Sequence, residues 1–256
     1  MTNIVRFPVL VFVLSFVGLW LSVRLGFFLR TKLRPLDQAE REDFNVVQGA
    51  TLTLLGLIIG FSFSMAISRY DLRKSDEAVE ANVIGTEYLR ADLLPAPDAA
   101  RVRELLQKYL AHRIAFYEAR DPGLVEQINR ETEQLQTEMW SSVRASATKQ
   151  PTPVVALAVS GMNEVLDSQG YTQAAWENRI PVAAWNLMVA VAVFGSLLTG
   201  NGAHRVRTLL FPVLPLVIST AFFLIADLDS PRRGIIRTHP HNLLNLSESL
   251  NGVKGN

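Results

Sequence analysis

Four long stretches of the chain carry no charged side chain, and most of the polar residues lie between the second and the third. The uncharged stretches are residues 7–23, 45–68, 180–203 and 208–226. A helix rises 1.5 Å per residue, so roughly 17 to 25 apolar residues cross a hydrocarbon core about 30 Å thick. The pattern therefore predicts four transmembrane helices in two pairs. The first stretch is longer than the apolar part of a secretion signal, so we expect it to remain as an anchor.

The polar segment between the two pairs has the periodicity of helices rather than of strands. Apolar side chains recur there at intervals of three and four residues, for example at Val102, Leu105, Leu106, Tyr109 and Leu110. That spacing places them on one helix face. Proline, glycine and polar residues interrupt the pattern near residues 95–97, 121–123 and 149–153. Since such residues end helices, we expect a soluble block of four helical pieces.

Two long helices are predicted to connect this block with the membrane. Only isolated glycines interrupt residues 50–94, so the second span should continue out of the membrane as a rod of more than 40 residues. Residues 154–180 should likewise run into the third span, at whose start Pro181 stands. The predicted fold class is an all-α integral membrane protein in which a helical soluble block is inserted between two transmembrane pairs. The predicted segments are a first transmembrane hairpin, the soluble helical block, a second transmembrane hairpin and a C-terminal tail, at residues 1–68, 69–179, 180–228 and 229–256.

Composition and charge exclude several classes of function. The chain has 25 basic and 24 acidic residues, a net charge of +1, and no cysteine. Nucleic acid is therefore not an expected partner, and disulfides and thiolate metal sites are excluded. His239 and His241 are too few ligands for a zinc site, so we expect no metal and no cofactor. Motifs for a catalytic serine or a phosphate-binding loop are also missing, and we do not expect an enzyme.

The second uncharged stretch holds the candidate pore-lining residues. Thr53, Leu57 and Phe61 recur at intervals of four, with Ser64 one turn further on. If several subunits placed this face around one axis, the apolar rings would form a constriction of the kind that gates ions by dewetting. A stripe of small residues runs beside it, at Gly49, Gly56, Gly60, Ser64 and Ser68. The alternative is ordinary close packing of helices within one subunit.

Basic residues follow this stretch and are candidates for a pore mouth. Arg69 and Arg73 lie just beyond the apolar segment, where a ring of cations would concentrate anions. Acidic residues share the same segment, so the sign of the ion stays open. In the alternative interpretation, Arg69 reaches to the lipid headgroups and Arg73 forms a surface pair with Glu77.

A compact motif follows the last span. Asp229 and Ser230 precede Pro231, and Gly234 comes three residues later. A side chain of Asp229 or Ser230 can cap the first turn after it, and proline suits the next position. We expect this C-terminal turn motif to reverse the chain and direct the tail back along the soluble helices.

These motifs resemble those of a known family. Gly60-Phe61 followed by Arg69-Tyr70 resembles the signature of the bestrophin pore helix. The run from Phe61 to Ala66 and the pattern Leu228-Asp229-x-Pro231-x-x-Gly234 are similar to those of bestrophin-like bacterial membrane proteins of unknown function. The resemblance extends over nearly the whole chain, including the order of spans, soluble block and spans.

The resemblance implies a pentameric ion channel, with an anion among the candidate ions. In bestrophins the second spans line the pore, the soluble helices lie in the cytosol, and the neck is apolar. The match implies neck positions at Thr53, Leu57 and Phe61, although Thr53-Leu54 stands where bestrophins usually have Ile-Pro. The acidic run that holds calcium in animal bestrophins has no counterpart, so we expect no calcium site.

Two hypotheses about function therefore remain after the sequence analysis. In the first, the chain is a bestrophin-like homo-oligomeric ion channel in the bacterial inner membrane, with lipid and an inorganic ion as partners and a cytoplasmic soluble block. In the second, it is a non-conducting membrane scaffold or signalling protein whose soluble helices bind a partner.

Overall fold

The computed structural model describes residues 5, 7–32, 37–202 and 212–252, and every regular element in these ranges is helical. The all-α fold class predicted from the sequence is thus confirmed. The elements are α1 (Pro8–Lys32), α2 (Gln38–Arg90), α3 (Ala96–Glu118), α4 (Pro122–Lys149), α5 (Pro153–Glu177), α6 (Val182–Gly202), α7 (Val213–Asp229) and α8 (His241–Gly252). A single 3₁₀ turn, Ala91–Leu93, continues directly from α2.

Helix α2 has 53 residues, which confirms the predicted rod. At 1.5 Å per residue it is roughly 80 Å long, more than twice the hydrocarbon core of a bilayer. The helix stops before Leu94, whose backbone is extended, and Pro95 follows. Because the residue before a proline is disfavoured in the helical conformation, this proline sets the end of the rod.

The predicted breaks in the soluble block are confirmed, and local capping explains them. Asp121 accepts a hydrogen bond from Leu124 N at 2.9 Å, and Thr152 accepts one from Val155 N at 3.2 Å. Each capping residue is followed by a proline, Pro122 or Pro153, at the first helical position. There the missing N–H costs nothing, because the first helical N–H groups have no partner within the helix.

The predicted passage from residues 154–180 into the third span differs from the structure in one respect. Helix α5 ends at Glu177 and α6 begins at Val182, so Asn178–Pro181 separates two helices. Pro181 supplies the physical reason, since it has no N–H to donate to the preceding turn and restricts Ile180. The break frees Ile180 N to donate to Asp229 Oδ1 at 3.0 Å.

The chain forms two compact units, and α2 contributes to both. The first unit comprises Met1–Tyr70 and Arg179–Arg237, and the second comprises Asp71–Asn178 and Thr238–Asn256. Three helical stretches among the described residues are long and apolar enough to cross a membrane. They are Pro8–Lys32, Gln38–Leu93 and Pro153–Gly202. The remaining uncharged stretch is represented by α7, of 17 residues. Residues 208–211 of that stretch and Ala203 lie outside the described residues.

Close backbone contact between α1 and α6 organises the first unit. A Cβ atom at Gly26 would overlap the carbonyl oxygen of Leu197, and one at Gly200 would overlap that of Val23. Small residues permit this approach, which is the usual way helices associate in a membrane. Helix α7 also packs on α1, and the core includes Trp185 against Phe222, with ring centroids 6.1 Å apart.

The second unit is a helical block with an aromatic cluster in its core. Helices α3, α4 and α5 pack in sequence, and α8 packs on α3. Phe116, Tyr117 and Trp176 meet edge to face, with centroids 5.1 to 5.6 Å apart. Buried aliphatic residues from every helix of this unit surround them, including Ile84, Leu106 and Met162. Buried apolar area of this kind supplies most of the stability of a soluble helical block.

Candidate functional site

The predicted pore-lining residues lie on the exposed face of α2. Thr53 and Ser64 are exposed, and the exposed fractions of Leu57 and Phe61 are 54% and 66%. Each residue turns a helix by roughly 100°, so Thr53, Leu57 and Ser64 stand opposite Leu55, which is 2% exposed. The four predicted residues therefore share one side of the helix, and the protomer packs against the other.

The small-residue stripe on α2 is open within the protomer. Cβ atoms built at Gly49, Gly56 and Gly60 would meet no atom within 4 Å. The alternative explanation of this stripe was ordinary packing within one subunit. Among the described residues, these glycines take no part in such packing. The close packing occurs instead at Gly26 and Gly200, which the sequence analysis did not single out. Their spacing alone does not distinguish them from the glycines of α2.

The predicted pore-mouth cations are turned toward the protein. Arg69 forms an ion pair with Asp229, with its Nη1 atom 3.5 Å from Oδ1. The Asp229 carboxylate is almost fully buried. Arg73 is 1% exposed. The alternative of a surface pair between Arg73 and Glu77 is wrong, because Glu77 is also 1% exposed. Glu77 instead accepts hydrogen bonds from the backbone N–H groups of Asn242 and Leu243, at 2.8 and 3.0 Å, and so caps α8.

Acidic residues occur at both ends of the exposed face of α2. Glu42 and Asp43 precede Thr53 and are exposed, and Asp71 is exposed beyond Ser64. On a helical projection Asp71 lies within about 20° of the line through Leu57 and Ser64, whereas Lys74 lies about 80° away. The charges closest to the candidate pathway are thus carboxylates. Sequence reasoning missed this because it counted the charges of the segment without assigning them to sides of the helix.

The C-terminal turn motif is built around two buried carboxylates. Asp227 accepts hydrogen bonds from Ile235 N at 2.7 Å and Ile236 N at 2.8 Å, which ties the returning chain to the end of α7. Gly234 N donates to Ser230 O at 2.9 Å. A Cβ atom at Gly234 would overlap the carbonyl oxygen of Asp227, so close approach rather than a positive φ requires the glycine.

Asp229, the other buried carboxylate of the motif, joins separate segments. Its carboxylate accepts a hydrogen bond from Ile180 N and forms an ion pair with Arg69. Its backbone carbonyl oxygen accepts a hydrogen bond from Arg179 Nη1 at 3.0 Å. The hydroxyl of Ser230 donates to Val5 O at 3.2 Å. The sequence analysis did not single out Asp227, whose carboxylate holds the returning chain at Ile235 and Ile236. Pro231 is buried in the same turn.

A buried polar network lies in the core of the second unit, and sequence reasoning missed it. Glu80 and Arg113, both fully buried, form an ion pair. Tyr117 Oη and Thr172 Oγ1 donate to Glu80 Oε2 at 3.1 and 3.2 Å. Burial, and then the charge of Glu80, raise the pKa of the Tyr117 hydroxyl, so it stays protonated and donates. A buried charge is stabilised only when it is paired and hydrogen-bonded. The Glu80 carboxylate meets both conditions, since it has one cationic partner and two hydroxyl donors.

A second buried carboxyl group, that of Glu87, lacks such partners. Glu87 is 0% exposed, and its two side-chain oxygens have no hydrogen-bond partner among the residues that the structure describes. Burial raises its pKa to about 8, with Arg90 opposing the shift and Glu164 adding to it. The carboxyl group is therefore largely protonated at neutral pH.

A profile described as "Bestrophin-like domain" matches residues 10–243. A variant of the bacterial bestrophin homologue from Klebsiella pneumoniae has a similar structure, with a TM-score of 0.65, 13% identity, and coverage of 97% of this chain and 99% of that one. Another structure of the Klebsiella pneumoniae homologue has a TM-score of 0.63 and 14% identity, and covers 94% of this chain and 98% of that one. No curated protein matches the sequence. Since the family profile spans most of its length, the chain belongs to the bestrophin-like family of membrane proteins.

Proposed function

We propose that the chain forms an oligomeric ion channel whose pathway is lined by α2. Characterised members of the family are ion channels. The oligomer proposed here is a pentamer, as the family resemblance implies. Thr53, Leu57, Phe61 and Ser64 would then form successive rings around its axis.

The observation that carries the proposal is the apolar face of α2 that stays exposed within the part of the chain that the structure describes. Leu57 and Phe61 are 54% and 66% exposed in the protomer, while Leu55 and Ala66 on the other side are 2% and 0% exposed. Gly49, Gly56 and Gly60 adjoin this face, and among the described residues no atom lies within 4 Å of a Cβ built at any of them. Small side chains let helices approach closely, so the face suits contact with copies of α2 from other protomers.

The order of side chains along the face suits a gated pathway. Leu57 and Phe61 would form adjacent apolar rings that exclude water when the constriction is narrow. Thr53 and Ser64 would place hydroxyl groups before and after it. Exposed carboxylates of Glu42 and Asp71 lie beyond these positions.

The distribution of charge favours cations over anions in this pathway. Arg69 and Arg73 face the protein interior. As pore-mouth residues they would not contact an ion directly and would act on it only through their electrostatic field. Asp229 offsets part of the field of Arg69. Asp71 and Glu42 are exposed on the side that would face the axis, and rings of carboxylates attract cations.

In the proposed membrane arrangement the chain is multi-pass, with four spans. Helix α7 is the fourth, and its apolar stretch begins in sequence at Thr208. The hairpins are residues 1–68 and 180–228, with the soluble block at 69–179 in the cytoplasm and the tail at 229–256. The membrane is the bacterial inner membrane.

Two measurements test the channel itself. Light scattering of the purified protein in detergent should give the mass of a pentamer, and a monomer or dimer would exclude a central pathway with one α2 per protomer. In planar bilayers the wild type should carry current, and Phe61→Ala or Leu57→Ala should increase it because the constriction widens. The matched control is Leu21→Ala on α1, since Leu21 is 53% exposed and Leu57 is 54% exposed. A silent but intact oligomer in all salts favours the alternative, a non-conducting scaffold.

Ion preference has a separate test. Reversal potentials in a gradient of potassium chloride should show a preference for potassium, which Asp71→Asn should reduce. The control is Asp76→Asn, because Asp76 lies on another side of α2 and is only partly exposed. A chloride preference in the wild type would refute the cation assignment and leave the channel proposal standing.

A further inference from the structure

A largely apolar cavity lies within the first unit, between α1, α6 and α7. Its volume is about 460 Å³, in the range of small-molecule sites. Val11 and Leu19 line it from α1, Trp185 from α6 and Phe222 from α7. No residue of α2 lines the cavity, so it is separate from the candidate ion pathway.

The cavity has two charged lining residues, and both lie at one end. Arg179 and Asp229 line that end, beside Ile180 and Pro181. Arg69 also reaches the Asp229 carboxylate, with its Nη1 atom 3.5 Å from Oδ1. Arg179 Nη1 donates to the backbone carbonyl oxygen of the same residue. Two guanidinium groups therefore contact Asp229, and two cations lie beside one carboxylate at this end. An apolar body with a cationic end complements an amphiphile whose headgroup is anionic.

A second observation points to a ligand in this cavity. Trp185 is 6% exposed, and its indole N–H has no acceptor among the residues that the structure describes. Leaving a buried donor unpaired costs about 1–3 kcal/mol, so buried indole groups normally find a partner. An oxygen atom of a bound ligand would supply one.

We propose that this cavity binds an acyl chain of an anionic phospholipid. The acyl chain lies along Val11, Leu19 and Phe222, and the phosphate faces Arg179. An ester oxygen of the lipid accepts a hydrogen bond from the indole N–H of Trp185. A membrane phospholipid is favoured over a soluble ligand because the walls come from α1, α6 and α7, which carry the uncharged stretches of the sequence. The site goes beyond the proposed channel function and does not depend on it.

Gly18 offers a direct way to test occupancy. It lines the cavity, and a Cβ atom at this position would meet no atom of the described residues within 4 Å. Gly18→Leu should therefore place its side chain in the space that the acyl chain occupies. Val17→Leu is the matched control, because Val17 is the neighbouring α1 residue, is 45% exposed and does not line the cavity.

The experiment measures phospholipid retained by the full chain after reconstitution with equal phosphatidylglycerol and phosphatidylcholine and transfer to detergent. Native mass spectrometry should show phosphatidylglycerol retained in preference to phosphatidylcholine. Gly18→Leu should reduce retention about tenfold, equivalent to about 1.4 kcal/mol, while Val17→Leu leaves it unchanged. Arg179→Gln should abolish the preference for the anionic lipid, whereas Arg24→Gln, on an exposed part of α1, should not.

Three outcomes would overturn the proposal. Equal retention by wild type and Gly18→Leu would show ordinary boundary lipid. Equal retention of the two phospholipids by the wild type would remove the role of the cationic end. Retention of added oleic acid in place of phospholipid would identify the wrong amphiphile. If Gly18→Leu does not fold, the wild type is cross-linked instead to phosphatidylglycerol with a photoactivatable group on its acyl chain. Cross-links to peptides containing Trp185 or Phe222 support the site, and cross-links elsewhere reject it.

Discussion

The carboxyl group of Glu87 makes the stability of the second unit depend on pH in an unusual direction. Most buried carboxylates in proteins are paired, and their stabilising effect is lost in acid. Glu87 is fully buried without a hydrogen-bond partner among the described residues, and burial raises its pKa from 4.5 to about 8. Since the folded state holds a proton that the unfolded state releases, the protonated form contributes to stability.

The sign and the magnitude follow from linkage. The contribution is complete below pH 4.5, declines as the pH rises, and is gone above about pH 8. Within this window stability falls by about 1.4 kcal/mol per pH unit. The whole interval corresponds to about 5 kcal/mol, a large part of the stability of an ordinary domain.

Replacing Glu87 with glutamine removes the titration and keeps the shape of the protonated side chain. Urea unfolding of the protein in detergent, followed by circular dichroism, should give similar stabilities for wild type and Glu87→Gln near pH 5. The variant should become the more stable of the two by about 1.4 kcal/mol for each further pH unit up to about 8. The control Glu133→Gln, at an exposed position of α4, should follow the wild type at every pH. Parallel curves for wild type and Glu87→Gln would refute the reasoning.

Three further predictions concern packing and polar contacts. Gly200→Ala should lower the unfolding free energy by about 1–3 kcal/mol, because the backbone of α1 must move to make room for the methyl group. The control Gly18→Ala should not lower it. If the two variants lower the thermal midpoint equally, the close contact at Gly200 is contradicted. Glu77→Ala should release α8 at a cost of about 1 kcal/mol, seen as faster amide exchange in that helix, and Glu248→Ala should leave exchange unchanged. Tyr117→Phe should cost about 1–3 kcal/mol by removing a donor from Glu80, and an unchanged urea midpoint would show that the hydrogen bond is unimportant.

The helices and their ends were largely predictable because the signals are local. Pro95, Pro122 and Pro153 each act on the backbone within a few residues, and Asp121 and Thr152 cap the turn that follows them. The length of α2 follows from the lack of any breaker in its sequence. Pro181 makes the break before α6 predictable in principle. The hydrogen bond that the break permits, from Ile180 N to Asp229, was not predictable, because the two residues are far apart in the chain.

The sides of the helices were not predictable in the same way. Gly26 and Gly60 both lie in apolar helices, yet only Gly26 lies against another backbone. Arg73 and Glu77 have the spacing of an exposed pair, yet both are buried. The role of Asp227 also depended on the chain returning to it. Charge counts along α2 could not separate Asp71 from Arg69, because only packing of the protomer decides which side of α2 is covered.

The sequence by itself determined the helical content, the uncharged stretches, the breaks between helices and the motifs of the bestrophin-like family. These follow from backbone sterics, from periodicity and from the cost of placing charge in hydrocarbon, all of which act over a few residues. Only the tertiary structure decided which face of α2 is open, which carboxyl groups are paired or isolated, and where a cavity with a cationic end forms. Each of these depends on groups brought together from distant parts of the chain, and burial and electrostatic energy are properties of that assembled environment.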